Sequence, residues 1–158
     1  MVHFRPMNGW GAWNASTICS VALIALTIVL HAVGVVFIAL MLERMRPRLA
    51  LHGQLLQVTS GVAMALIVGV TLSLVVLHGI ECLLWAYAYV RLGALPSPAD
   101  GLLYSVDSMT TRGASGLVLE RQWRMMGAAE AGNGMLLFGV STAFLFYLMQ
   151  HLWRSESR

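Results

Sequence analysis

The chain reads as an all-α membrane protein with three transmembrane helices, plus a short re-entrant helix and the loop that follows it. Three observations predict this. Only 11% of its 158 residues are charged, where a soluble domain carries about 25%, and the mean hydropathy is +0.74. Three apolar runs, at residues 18–42, 58–90 and 131–152, each supply the roughly 20 helical residues that a hydrocarbon core of about 30 Å requires. Between the second and third runs lies 97–116, SPADGLLYSVDSMTTRGASG, which is too short and too polar to cross.

Residues 1–57 hold an N-terminal interfacial segment, the first span and a loop. Trp10 and Trp13 suit the headgroup level, where indoles anchor. The run at 18–42 exceeds the 7–15 residues of a signal-peptide core, and an arginine cluster follows it, so it is expected to be retained. His31 stands in its middle, where a histidine bonded to a neighbouring helix is the plainer reading and a proton relay or ligand the sharper one. Arg44, Arg46 and Arg48 are placed in a short loop, and such loops stay cytoplasmic. That orientation puts the N-terminus outside and the C-terminus inside.

The second run carries Gly61, Ala65, Gly69 and Ser73 at four-residue intervals, a small-residue stripe that lets another helix approach closely. Near its end His78 and Glu81 share a face, being three residues apart. Two ligands are too few for a metal site, so the pair is expected to bond internally or to the following loop. Cys19 and Cys82 both fall in apolar runs and read as small buried hydrophobes, not as a disulfide framework. Trp85, Tyr87 and Tyr89 form an aromatic belt.

Ser97, Pro98 and Asp100 make a helix start, with Ser as cap, Pro in the first turn and an acid three residues on. The helix is expected to run to about Thr111, with Leu102, Leu103, Val106 and Met109 as its apolar face. The third run opens at Gly132-Asn133-Gly134, where Asn133 can hydrogen-bond across helices. Gly139 is a candidate hinge. Tyr147, His151 and Trp153 close the run as an inner belt.

The stretch S-V-D-S-M-T-T-R-G-A-S-G resembles the potassium-channel pore signature S-V-E-T-A-T-T-V-G-Y-G-D. The two agree at Ser-Val, the acid, Thr-Thr and the first Gly. They part where Arg112 stands for Val, Ala114 for Tyr and Ser115 for the second Gly. Around it, Leu77-His78-Gly79-Ile80-Glu81 is similar to an L-H-x-x-E element of small bacterial channel-like proteins with one extra N-terminal span. Trp123 to Gly127, Glu130 to Gly134, Leu136, Phe138-Gly139 and Ser141 to Ala143 follow their W-R-L-L-G-x-x-E-A-x-N-G-x-L-x-F-G-x-S-T-A segment. The resemblance covers about residues 77–146.

It implies that 58–158 is a pore module of outer helix, pore helix, filter loop and inner helix. It further implies a homotetramer in the lipid bilayer, with Thr110, Thr111, Arg112, Gly113, Ala114, Ser115 and Gly116 along the ion path and Asp107 behind them in support. In such filters, rings of backbone carbonyls replace the hydration shell of potassium. Four Arg112 guanidinium groups at pairwise separations of about 8 Å would repel by roughly 2 kcal/mol per pair at an effective dielectric of about 20. They must turn from the axis, find carboxylates or hold anions, and Asp107 is the nearest partner in sequence.

Two functions follow from this pattern. One is an ion channel of altered selectivity, because TTRGASG replaces TTVGYGD. The other is a non-conducting channel-fold scaffold or partner subunit, its loop closed by Arg112–Asp107 contacts. A third, a metal-binding accessory protein or enzyme using His31, His78 and Glu81, ranks below both, and no enzyme activity is expected. No cofactor is implied beyond monovalent ions in the filter region. The arginines are dispersed, so no nucleic-acid partner is expected.

Overall fold

In the computed structural model the described residues are 9–50, 60–113 and 116–156, with side chains described for 15–45, 61–113 and 116–152. They form four helices and no strand: α1 (Gly9–Ala50), α2 (Ser60–Arg91), α3 (Pro98–Met109) and α4 (Arg124–Glu156). Three of them contain stretches long and apolar enough to cross a bilayer, Ala15–Met45, Gly61–Arg91 and Arg124–Leu152. This fits a multi-pass membrane protein.

Two helices outrun their expected ends. Helix α1 continues through Arg44, Arg46 and Pro47 to Ala50, so these arginines ride on helix instead of a loop. Leu42 to Arg46 are good helix formers, and Pro47 forfeits a single backbone bond. Helix α4 begins at Arg124, ahead of the expected 131, and includes Glu130. Arg-Met-Met-Gly-Ala-Ala-Glu-Ala contains only one poor helix former. The helix is unbroken across Gly139, where an added Cβ would meet open space.

Helix α3 forms for local reasons. Ser97 is extended (φ −138°, ψ 155°), its Oγ accepts from the Asp100 N–H at 3.1 Å, and it donates to Asp100 Oδ2 at 2.7 Å. Pro98 fills the first turn, where its missing N–H costs nothing. Twelve residues make a rod of about 18 Å, well short of a span.

The chain divides into two compact units, the first from the described parts of Met1–Ile28 with Glu81–Leu136, the second from those of Val29–Ile80 with Leu137–Arg158. In the first unit Cys82, Trp85, Tyr89, Met109, Leu119 and Met126 form the core, with Cys19, Leu23 and Ile24 of α1 against it. Helix α3 turns Gly101, Ser105, Asp107 and Met109 inward. The expected apolar face is thus corrected: Leu102, Leu103 and Val106 are exposed. Hydroxyl and carboxyl groups taken out of solvent must find partners inside the protein, and Ser105 finds one in Glu130.

Glycine permits two of these contacts. A Cβ at Gly101 would lie 3.0 Å from the Ala86 carbonyl oxygen of α2, and one at Gly134 would overlap the Met109 carbonyl at the end of α3. In the second unit Val70, Leu74 and Leu77 of α2 make one stripe, packed with Leu148 of α4 and Leu30, Val35 and Ile38 of α1. The expected small-residue stripe, Gly61, Ala65, Gly69 and Ser73, instead faces outward, and among the described residues nothing lies within 4 Å of a Cβ added at Gly61 or Gly69.

The two glycines of α4 make a controlled pair. Gly134→Ala should lower the unfolding midpoint in mixed micelles, at a cost of about 1–3 kcal/mol or more for overpacking against backbone. Gly139→Ala should leave it unchanged or raise it, by up to about 1 kcal/mol of helix propensity.

Candidate functional site

The loop after α3 begins as a helix cap. Thr110 N–H donates to Val106 O at 3.0 Å, Thr111 N–H to Ser108 O at 2.9 Å and Arg112 N–H to Asp107 O at 2.9 Å. Thr111 is left-handed, with φ +57°. These last two bonds and this angle define a Schellman motif. Helix α2 ends the same way, with Gly93 N–H to Val90 O at 3.1 Å, Ala94 N–H to Tyr89 O at 2.9 Å and Gly93 at φ +69°. The left-handed position is glycine in α2 and a β-branched threonine in α3, where the conformation costs roughly 1–2 kcal/mol.

A Schellman turn folds the second residue past the cap back over the last helical turn, where an apolar contact usually forms. Here that contact is ionic: Arg112 Nη1 lies 3.1 Å from Asp107 Oδ1. Asp107 is 1% exposed and Arg112 69% exposed. Neither Asp107 oxygen has an aligned hydrogen bond among the described residues, so the contact is coulombic. An exposed pair contributes only about 0–1 kcal/mol. The buried partner makes this one matter more, because a carboxyl at the negative end of a helix needs a cation nearby. Gly113 (φ +87°) and Gly116 (φ +83°) continue the loop. Ala114 and Ser115 of the expected filter lie outside the described residues.

Behind α3 stands a group the sequence reading did not single out. Glu130 of α4 is fully buried. Tyr89 of α2 donates to its Oε2 at 2.7 Å, and Ser105 of α3 donates to its Oε1 in a very short contact. Tyr104 packs edge-on to Tyr89 at 5.2 Å and covers Gly127, so both tyrosines press on the α4 start. One turn later Asn133 Nδ2 donates to Thr27 Oγ1 of α1 at 2.8 Å. A carboxyl group inside an apolar helix was the available signal, hidden because Glu130 seemed to precede the span.

The second unit has its own polar cluster. Ser141 Oγ of α4 lies 3.1 Å from His78 Nε2 of α2 and 3.2 Å from His31 Nε2 of α1. His31 is thus bonded to a neighbouring helix, and His78 reaches α4. All three are buried. In the first unit, Glu81 of α2 is fully buried. Cys19 and Cys82 are free thiols. Compared with known protein families, curated proteins and solved structures, the chain matches none, so the resemblance of 77–146 rests on its residues alone.

Two measurements separate these contacts by weight. Tyr89→Phe removes a hydroxyl from a buried carboxyl and should cost about 1.5–3 kcal/mol. Thr27→Val breaks an inter-helix amide bond of the kind that averages about 0.6 kcal/mol in membranes, so its effect on unfolding should be smaller. Thr111→Gly should stabilise the fold by about 1 kcal/mol, read as a raised unfolding midpoint, because the left-handed cap costs glycine nothing.

Proposed function

We propose that this chain is a pore-loop membrane protein of the ion-channel type, working as a homotetramer with a selectivity unlike that of a potassium filter. The observation that carries the reading is the treatment of α3. A helix too short to span is capped at its start by Ser97 and bonded through Ser105 to Glu130 of a spanning helix. Its C-terminal end runs directly into Thr110-Thr111-Arg112-Gly113. Such a helix points its negative end at whatever lies beyond the loop, which favours a cation there. In this reading Thr110 to Gly116 line the ion path, Asp107 supports them and Gly139 is the inner-helix hinge. The membrane is a bacterial inner membrane, with the N-terminus outside and the C-terminus inside.

One observation favours the second reading, a non-conducting subunit. Thr111 and Arg112 are tied into the α3 cap, and Arg112 is paired with Asp107. A filter strand presents the carbonyls of successive residues to an ion, and a cap directs its backbone back to the helix. In that case the pair is a latch on the loop.

Planar-bilayer recording of the purified protein under a KCl gradient distinguishes them, with Arg112→Val alongside. Current with a reversal potential away from that of potassium is expected for an altered pore. A wild-type reversal at the potassium value would show an ordinary potassium channel and overturn the argument from Arg112. Silence in wild type with current in Arg112→Val identifies the latch. Silence in both removes conduction from the proposal.

A further inference from the structure

The His31–Ser141–His78 cluster has no place in the pore-loop reading. It lies in the second unit, near the middle of all three long helices, and joins α1, α2 and α4 through one hydroxyl. Polar groups at such depth are costly and are kept for a use. A serine hydroxyl has one proton to donate and two lone pairs to accept with, so it can donate to one imidazole while accepting from the other, or accept from both. The arrangement is satisfied only at the expense of fixing both rings.

The same side chains are arranged as ligands. The ring centroids are 5.1 Å apart, at 35° to each other, and a nitrogen of His31 lies within 4.8 Å of a nitrogen of His78. Two imidazole nitrogens on one tetrahedral zinc ion, each at about 2.0–2.1 Å, stand about 3.4 Å apart, a separation that turning of the two rings would set. Phe138, 4.2 Å from the His78 ring, gives the cluster an apolar wall. Ser141 Oγ is a third donor.

We propose that His31 and His78 bind a divalent transition-metal ion of the zinc class, with Ser141 Oγ as the neighbouring oxygen donor. Imidazole selects zinc, cobalt, nickel or copper over magnesium and calcium, which take oxygen donors. Bound there, the ion cross-links α1 and α2. The proposal is independent of whether the protein conducts.

The test is zinc binding to the full chain in nanodiscs, by equilibrium dialysis against ZnCl2 with metal analysis. One equivalent per chain is expected, lost in His31→Gln and in His78→Gln and weakened by about 10-fold in Ser141→Ala, as for a neighbour that orients ligands. Zinc should also raise the thermal midpoint of wild type and leave that of the histidine variants where it was. If those variants fail to fold, cobalt on wild type decides: visible d–d bands of a tetrahedral nitrogen–oxygen site support the proposal, and their absence overturns it. No zinc in wild type, or zinc retained in both folded histidine variants, overturns it as well.

Discussion

The packing of α3 depends on one carboxyl group placed where water cannot reach. Glu130 has both oxygens met by hydroxyls, from Tyr89 of α2 and Ser105 of α3. Each of those residues is fixed in turn by the packing around it, Tyr89 by Trp85 and Tyr104, Ser105 by the inward face of α3. An unmet carboxyl there would cost far more than any apolar contact in the unit could return, so the three elements come together or the group stays unsatisfied. Gly101 and Gly134 are the geometric counterpart, since without them α3 would stand too far off for Ser105 to reach.

That constraint explains the inversion of α3. In water its leucines would turn inward and its serine outward. Here the bond from Ser105 to Glu130 decides the choice of face. Leu102 and Leu103 therefore point outward, while Ser105 and Asp107 are buried. The same rule governs the second unit, where Ser141 joins two histidines beside an aliphatic stripe that merely fills space.

The helices were legible in the sequence because length and hydropathy decide them, and the cap of α3 because Ser97, Pro98 and Asp100 act locally. The Arg112–Asp107 contact could be named because the two residues are five apart on either side of a helix end. Glu130 escaped because its partners are 25 and 41 residues away, and a lone acid looks like a boundary when read along the chain. The same distance hid Ser141, which lies 63 residues from His78 and 110 from His31. Periodicity shows that a residue is on a face; it does not show what that face meets.

The end of α3 shows how a single substitution pattern changes the physics of a loop. A left-handed residue at the cap, with the next residue folded back, normally buries an apolar side chain against the last turn. Placing arginine at that position instead demands an anion on the last turn, and Asp107 is there. Placing threonine at the left-handed position stores strain that glycine would not, as Gly93 at the end of α2 shows by contrast. The cap is also held by the backbone bonds from Thr111 to Ser108 O and from Arg112 to Asp107 O, so the ion pair adds to a turn already closed. The strain at Thr111 and the Arg112–Asp107 attraction thus act in opposite directions on one helix end.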